Sequence, residues 1–200
     1  MKRIFTLLFV SAACVAAHAQ TISDADRATL QKIKEANRAY TSITSPFKQT
    51  QHLVMLGENT SSAGMFYYRK PAYLSMKYTQ PAGDLLLIDG NRFKLVVAGK
   101  EKKVSSKNAK MEGMKTILSA CLQGDVEQLN ATKITCSKQA QDDVIVADIN
   151  GKVNKSGVSR VIVRYDKTDY SPVSIQTIEP DGSYTLYELT GRIMNSEQPQ

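Results

Sequence analysis

Residues 64–98, GMFYYRKPAYLSMKYTQPAGDLLLIDGNRFKLVVA, constrain the fold more than any other stretch. Four short runs of strand-forming residues are separated there by turn residues. Met65 to Tyr68 is aromatic, and Tyr73 to Tyr78 alternates Leu74, Met76 and Tyr78 with Ser75 and Lys77, the period of two of a half-buried strand. Asp89-Gly90 lies between two apolar runs and supplies the positive φ of a tight hairpin, so Leu85 to Ile88 and Phe93 to Val97 are expected to pair antiparallel. Pro71 and Pro81 mark breaks, because proline has no N–H for a ladder. The stretch reads as an antiparallel meander.

Upstream, Met1 to Ala19 has a basic head in Lys2 and Arg3, an apolar run from Ile4 to Ala17, and Ala17-His18-Ala19 before Gln20. This is the pattern of a cleaved secretory signal, and the run is shorter than the roughly 20 residues of a spanning helix. Residues 1–19 are therefore expected to leave, with residues 20–200 forming one domain of about 180 residues, enough for a substantial core. The alternative is acylation at Cys14, disfavoured because Ser11 stands where such signals carry a large apolar residue. Removing Lys2 and Arg3 lowers the net charge from +7 to about +5. Lys100, Lys102, Lys103, Lys107 and Lys110 read either as a solvated loop or as a patch for anionic lipid or an acidic protein surface. Nucleic acid is not expected as a partner.

Two helices are expected. Thr21 to Tyr40 carries a narrow stripe of Leu30, Ile33, Asn37 and Tyr40 behind an N-cap at Ser23 or Asp24, the pattern of a helix docked on one side. Pro46 is expected to stop any continuation, with a first strand from Phe47 to Leu56 and a turn over residues 57–64. Met111 to Gly124 is the second helix, with Met111, Met114, Ile117, Leu118, Cys121 and Leu122 on one side. That stripe suits plain core or the lining of a lipid site, since methionine adapts to guests of variable shape. Five further strands follow, Ile134 to Ser137, Val144 to Ile149, Val158 to Tyr165, Val173 to Ile178 and Ser183 to Leu189. A sheet of about ten strands exceeds what an open twisted sheet carries without curling. The fold class is thus mainly β (α+β), a curled antiparallel barrel or half-barrel whose concave side takes the two helices.

Enzymatic chemistry has little to work with. Without His18 the chain retains His52 alone, no G-x-S-x-G accompanies it, the acidic neighbours Asp142-Asp143 and Asp166, Asp169 read as turn residues, and no phosphate-cradling glycine loop is present. No catalytic residue, metal or cofactor is assigned. Cys121 and Cys136 are the two cysteines left in an oxidising compartment, so a disulfide is expected across a loop of about 15 residues, the alternative being two free thiols.

Several motifs fall in the order of one family. Phe47-Lys48-Gln49 resembles F-x-Q at the start of a first strand; Gly64-Met65-Phe66-Tyr67-Tyr68-Arg69-Lys70-Pro71 resembles G-x-(L/F)-x-x-x-R-P; Tyr78-Thr79-Gln80-Pro81 and Asp89-Gly90 follow. With the signal and first helix, the chain resembles the LolA family of periplasmic lipoprotein carriers, by motif over residues 20–98 and by topology beyond. The resemblance implies an unclosed half-barrel with a helical lid over an apolar cavity that shields lipoprotein acyl chains. It implies a monomer, without enzymatic activity, that takes cargo from an inner-membrane LolCDE-type ABC transporter and passes it to an outer-membrane acceptor. A related half-barrel that binds lipid or senses envelope state without shuttling is the alternative. On this reading the cavity is lined by Leu53, Met55, Phe66, Leu74, Met76, Leu86, Ile88, Met114, Ile117 and Leu118, and glutamate at Leu74 or Met76 is expected to weaken uptake while leaving the sheet folded. The family's lid-holding arginine falls on Lys70, with Arg69 one place earlier, so either is a candidate latch; a one-residue shift along a strand points to the opposite face. Leu74 falls where the family has an apolar residue that docks on the inner-membrane complex.

Overall fold

The computed structural model describes residues 22–105, 108–150 and 156–197. The signal segment, the Gln20 start, Cys14 and Lys107 lie outside them.

Helix α1 (Asp24–Arg38) starts where Ser23 Oγ accepts from the Asp26 N–H at 3.1 Å, with Asp24 and Asp26 in its first turn and Arg38 in its last. It is shorter than expected at both ends, but its stripe is as read: Leu30, Ile33 and Asn37 are buried, and so is Tyr40 just beyond.

Strand β1 (Ser42–Leu53) begins five residues before Phe47 and contains Pro46. The proline is tolerated because β1 changes neighbours there. Ile43 and Thr44 pair with β12 (Ile193–Met194), and Phe47 to His52 pair with β11 (Tyr184–Leu189), so no ladder partner requires the missing N–H. The Pro46 carbonyl still accepts from Thr190 N–H. Strand β2 (Glu58–Arg69) pairs with β1 along its whole length, from Ser42 opposite Arg69 to Leu53 opposite Glu58. The turn is therefore Val54 to Gly57, and the polar residues 58–61 expected in a loop are the exposed start of β2, with Ser62 half-buried.

The meander is present: β3 (Tyr73–Gln80), β4 (Ala82–Asp89) and β5 (Arg92–Val97) follow in antiparallel order. Asp89 opposite Arg92 leaves Gly90 and Asn91 as the loop, with Gly90 at φ +59°. A Cβ on Gly64 would lie 2.2 Å from the Lys77 carbonyl oxygen, so that position admits only glycine. Short β6 (Lys100–Lys102) closes this half. After helix α2 (Ala109–Leu122), capped by Asn108, and a 3-10 turn at Val126–Leu129 come β7 (Lys133–Lys138), β8 (Asp142–Asp148), β9 (Arg160–Asp166) and β10 (Pro172–Ile178).

All twelve strands form one antiparallel sheet in the order β6-β5-β4-β3-β2-β1-β11-β10-β9-β8-β7, with β12 also on β1. Both outer strands, β6 and β7, stay unpaired with each other, so the barrel is unclosed. One face carries the core: Phe66, Met76 and Leu86 share it by register, as do Ile145, Val163 and Ile175, and both helices pack there. No helix among the described residues is long and apolar enough to cross a membrane.

The expected disulfide is absent, and Cys121 and Cys136 are free thiols. They face different elements: the Cys121 carbonyl in α2 accepts from Tyr165 of β9, whereas Cys136 on the edge strand β7 gives its N–H to Asp26 of α1. Burial pushes each thiol up to about 12.

Candidate functional site

The covered face is not uniform along its length. Near the β2–β3 connection, Tyr68, Leu74, Met76 and Ile88 are fully enclosed with Ile33 and Leu122 of the helices. Towards the opposite end, Tyr78, Leu95, Met111, Met114 and Tyr187 are only half-buried against the same cluster. The floor there carries polar groups among the aromatics. Tyr78 donates its hydroxyl to Gln49 Oε1 at 2.6 Å and stands edge-on to Phe47, ring centroids 5.1 Å apart; Gln49 is opposite Tyr187. Burial, helped by Asp84, raises the Tyr78 phenol to about 12, and burial likewise raises Tyr187.

At the closed end a polar cluster ties the helices to the sheet. Lys70, just past β2, donates its ammonium to the carbonyl oxygens of Asn37 and Tyr40, where α1 ends, and lies 4.6 Å from the Tyr40 ring centroid. The Asn37 carbonyl is among the unpaired acceptors of the α1 C-terminus, the Tyr40 carbonyl lies just past it, and a cation there also meets the negative end of the helix dipole. Partial burial lowers the Lys70 pKa. Asn37 Nδ2 donates to the carbonyls of Ile33 (2.8 Å) and Tyr170 (2.7 Å), and its Oδ1 accepts from the Tyr40 hydroxyl, which also reaches the Leu122 carbonyl of α2. Gln123 Nε2 reaches the Pro71 carbonyl at 3.2 Å. Gly124, at φ +67°, ends α2 against Asn37 and Ile33; a Cβ there would meet both at 3.0 Å.

The two helices are also joined to each other and to the edges. Lys34 pairs with Asp125 at 2.8 Å and Arg27 with Glu127 at 3.6 Å, linking α1 to the segment after α2. Asp26 accepts from the Cys136 N–H at 3.0 Å, and Lys115 Nζ reaches Asn91 Oδ1 at 3.1 Å. α1 and α2 thus form one cover with polar fastenings at its margins and apolar packing beneath.

The expected residues divide accordingly. Phe66, Leu74, Met76, Leu86, Ile88, Ile117 and Leu118 come together in the cluster under the cover, Met114 lies at its looser rim, and Leu53 is half-buried at the end of β1. Met55 does not line this face: the β1–β2 turn leaves it 92% exposed. Leu74 and Met76 are 4% and 1% exposed, so glutamate at either would bury a charge and unfold the sheet, contrary to the sequence expectation. Leu74 is likewise not on the surface as a docking residue. Of the two latch candidates, Lys70 makes the contact; Arg69 points away, its guanidinium 5.1 Å from the Tyr73 ring centroid. Asn37, Tyr40, Tyr78 and Tyr187 were not singled out as site residues. For the first two the signal was present, since Asn37 is a polar residue in the docked stripe of α1 and Tyr40 follows just beyond it. Among the described residues no group of three or more His, Cys, Asp or Glu side chains is placed to hold a metal.

The described residues thus form an unclosed antiparallel half-barrel with a fastened helical cover over an apolar face. The chain belongs to the LolA family: the family model described as outer membrane lipoprotein carrier protein LolA matches residues 38–199. Among solved structures, the lipoprotein LppX of Mycobacterium tuberculosis is similar at 13% identity and TM-score 0.50, over 88% of this chain and 99% of that one. MucB in the MucA/MucB complex of Pseudomonas aeruginosa is similar at 12% identity and TM-score 0.49, over 86% and 57% of the two chains. A LolA superfamily protein of Nitrosomonas europaea is similar at 9% identity and TM-score 0.43, over 86% and 94%. No curated protein sequence matches the chain.

Proposed function

We infer that this chain is a periplasmic carrier that receives the acyl chains of lipoproteins beneath α1 and α2 and moves them from the inner to the outer membrane. The observation that carries this reading is the Lys70 fastening of the α1 terminus over a continuous apolar face. Each CH₂ buried by the guest contributes about 0.8 kcal/mol, whereas each fastening hydrogen bond contributes only about 1 kcal/mol net. A cover held this way can lift for an acyl chain and release it to a better acceptor. Export follows from the signal pattern of residues 1–19. The donor on this reading is a LolCDE-type ABC transporter, and the acceptor is an outer-membrane protein.

Titration with a fluorescent fatty-acyl probe, followed by extraction of lipoprotein from inner-membrane vesicles, tests the reading. A carrier binds the probe and strips lipoprotein into solution. Binding without stripping would leave a fixed lipid-binding or sensor module, and absence of both would remove the lipid reading. Met114→Glu, at the half-buried rim, is expected to weaken probe binding without unfolding the sheet.

A further inference from the structure

The β1–β2 hairpin ends in Val54-Met55-Leu56-Gly57, with the first three side chains 47%, 92% and 64% exposed. They are three of the five large hydrophobic side chains exposed among the described residues, and neither the covered face nor its fastenings use them. The turn is rigid. Leu56 N–H and Gly57 N–H donate to the Leu53 carbonyl at 3.1 and 3.0 Å, and Gly57 takes φ +63°. Val54 N–H donates to Ser183 Oγ at 3.2 Å, Ser183 is itself held by Asp181, and the His52 ring stacks on Tyr184 at 5.2 Å. The turn between β10 and β11 thus braces the tip from the side.

We propose that this tip is a membrane-touching element that inserts Val54, Met55 and Leu56 shallowly into a bilayer interface. An apolar medium penalises unpaired backbone N–H groups, and those of Val54, Leu56 and Gly57 are already used within the turn and its brace. A four-residue turn is too small for a stable protein partner, which needs about 800 Å² on each side, but three clustered apolar side chains suit interfacial insertion. Glu58 follows the tip, and Glu179 and Asp181 belong to the turn that braces it through Ser183, with Lys110 paired to Glu179 at 3.8 Å. The attraction is therefore apolar and survives salt. The tip also marks the end of the sheet where Tyr78, Tyr187 and Met111 are half-buried, so insertion sets the looser margin of the cover at the lipid surface. That purpose rests on the carrier reading; the insertion does not.

The test is flotation of the mature chain with phosphatidylethanolamine and phosphatidylglycerol vesicles, at low and high salt. Met55→Asp removes no packing and is expected to lower the vesicle-bound fraction on the order of tenfold. Ile193→Asp, another exposed apolar position but opposite Thr44 at the far end of β1, is expected to change nothing. The chain has no tryptophan, so Met55→Trp provides a single emitter at the tip, whose emission is expected to shift to the blue and be quenched by brominated lipid. Failure of the wild type to float, equal flotation of Met55→Asp, equal loss in Ile193→Asp, loss of binding at high salt or an unshifted Met55→Trp emission would each overturn the proposal. Fatty-acyl probe binding, measured on the same samples, separates the two readings. Probe binding without flotation removes the tip proposal and keeps the carrier, and flotation without probe binding does the reverse.

Discussion

Lys70 and Tyr40 are joined twice: the Lys70 ammonium donates to the Tyr40 main-chain carbonyl and lies over the Tyr40 ring at 4.6 Å from its centroid. Lys70→Met keeps most of the side-chain length but loses both donors at the α1 terminus. We expect a loss of about 1–2 kcal/mol in unfolding free energy and faster release of a bound acyl probe, with hydrogen exchange in α1 rising more than in the sheet. Equal release rates for wild type and variant would show that Lys70 is only a structural tie.

Asn37 is fully buried and bridges Ile33, Tyr40 and Tyr170. Asn37→Leu has a similar volume but leaves the Tyr170 carbonyl without that donor, so denaturant unfolding is expected to show a loss of about 1–3 kcal/mol. A neutral substitution would mean that the cluster contributes nothing net.

How far the chain could be read from its sequence follows from where local pattern and tertiary context agree. The meander was legible because Asp89-Gly90 and the Leu74, Met76, Tyr78 alternation express one geometry at two levels. The extent of β1 was not, because Pro46 is tolerated only through a change of strand neighbours that no local pattern records. Residues 58–62 read as loop because all five are polar or acidic, yet a strand paired to β1 needs no apolar side chain to be held. Met55 continues the apolar run of β1, but the turn takes it out of the sheet. Seven of the ten cavity candidates fell under the cover because strand alternation and helix spacing fix faces. The choice between Arg69 and Lys70 depended on where β2 ends.

Acid weakens a carboxylate cluster at the β9–β10 turn. Asp166 accepts from Thr168 N–H at 2.8 Å and from Arg192 Nη2 at 3.1 Å, and these bonds, the Thr168 N–H foremost, hold its carboxyl below the ordinary range. The native state therefore binds this proton less readily than the unfolded chain does. Its stabilisation is complete above the unfolded value near 3.8 and is lost as pH falls through the lowered native value. Asp166→Asn is expected to lower the Tm at pH 7 and to converge with wild type in strong acid. A gap that persists or widens there would contradict the assignment.

Thiol chemistry checks the cysteine geometry. With Cys121 and Cys136 free and raised to about 12 by burial, native protein lacking residues 1–19 is expected to react slowly with a maleimide at neutral pH, and the same protein unfolded without reduction to take up two equivalents. Uptake of none after unfolding would reveal a Cys121–Cys136 bridge.

On the carrier proposal, acyl chains lie between the helical cover and the apolar face of the sheet. Native mass spectrometry of residues 20–200 titrated with a triacylated lipopeptide tests this, with hydrogen exchange of the same complex locating the guest. The account predicts a one-to-one complex in which α1 and the Met111 to Leu118 face of α2 change protection together with β3 and β4, and which Met114→Glu weakens. No complex with the wild type, or a complex that leaves the exchange of both helices unchanged, would contradict it.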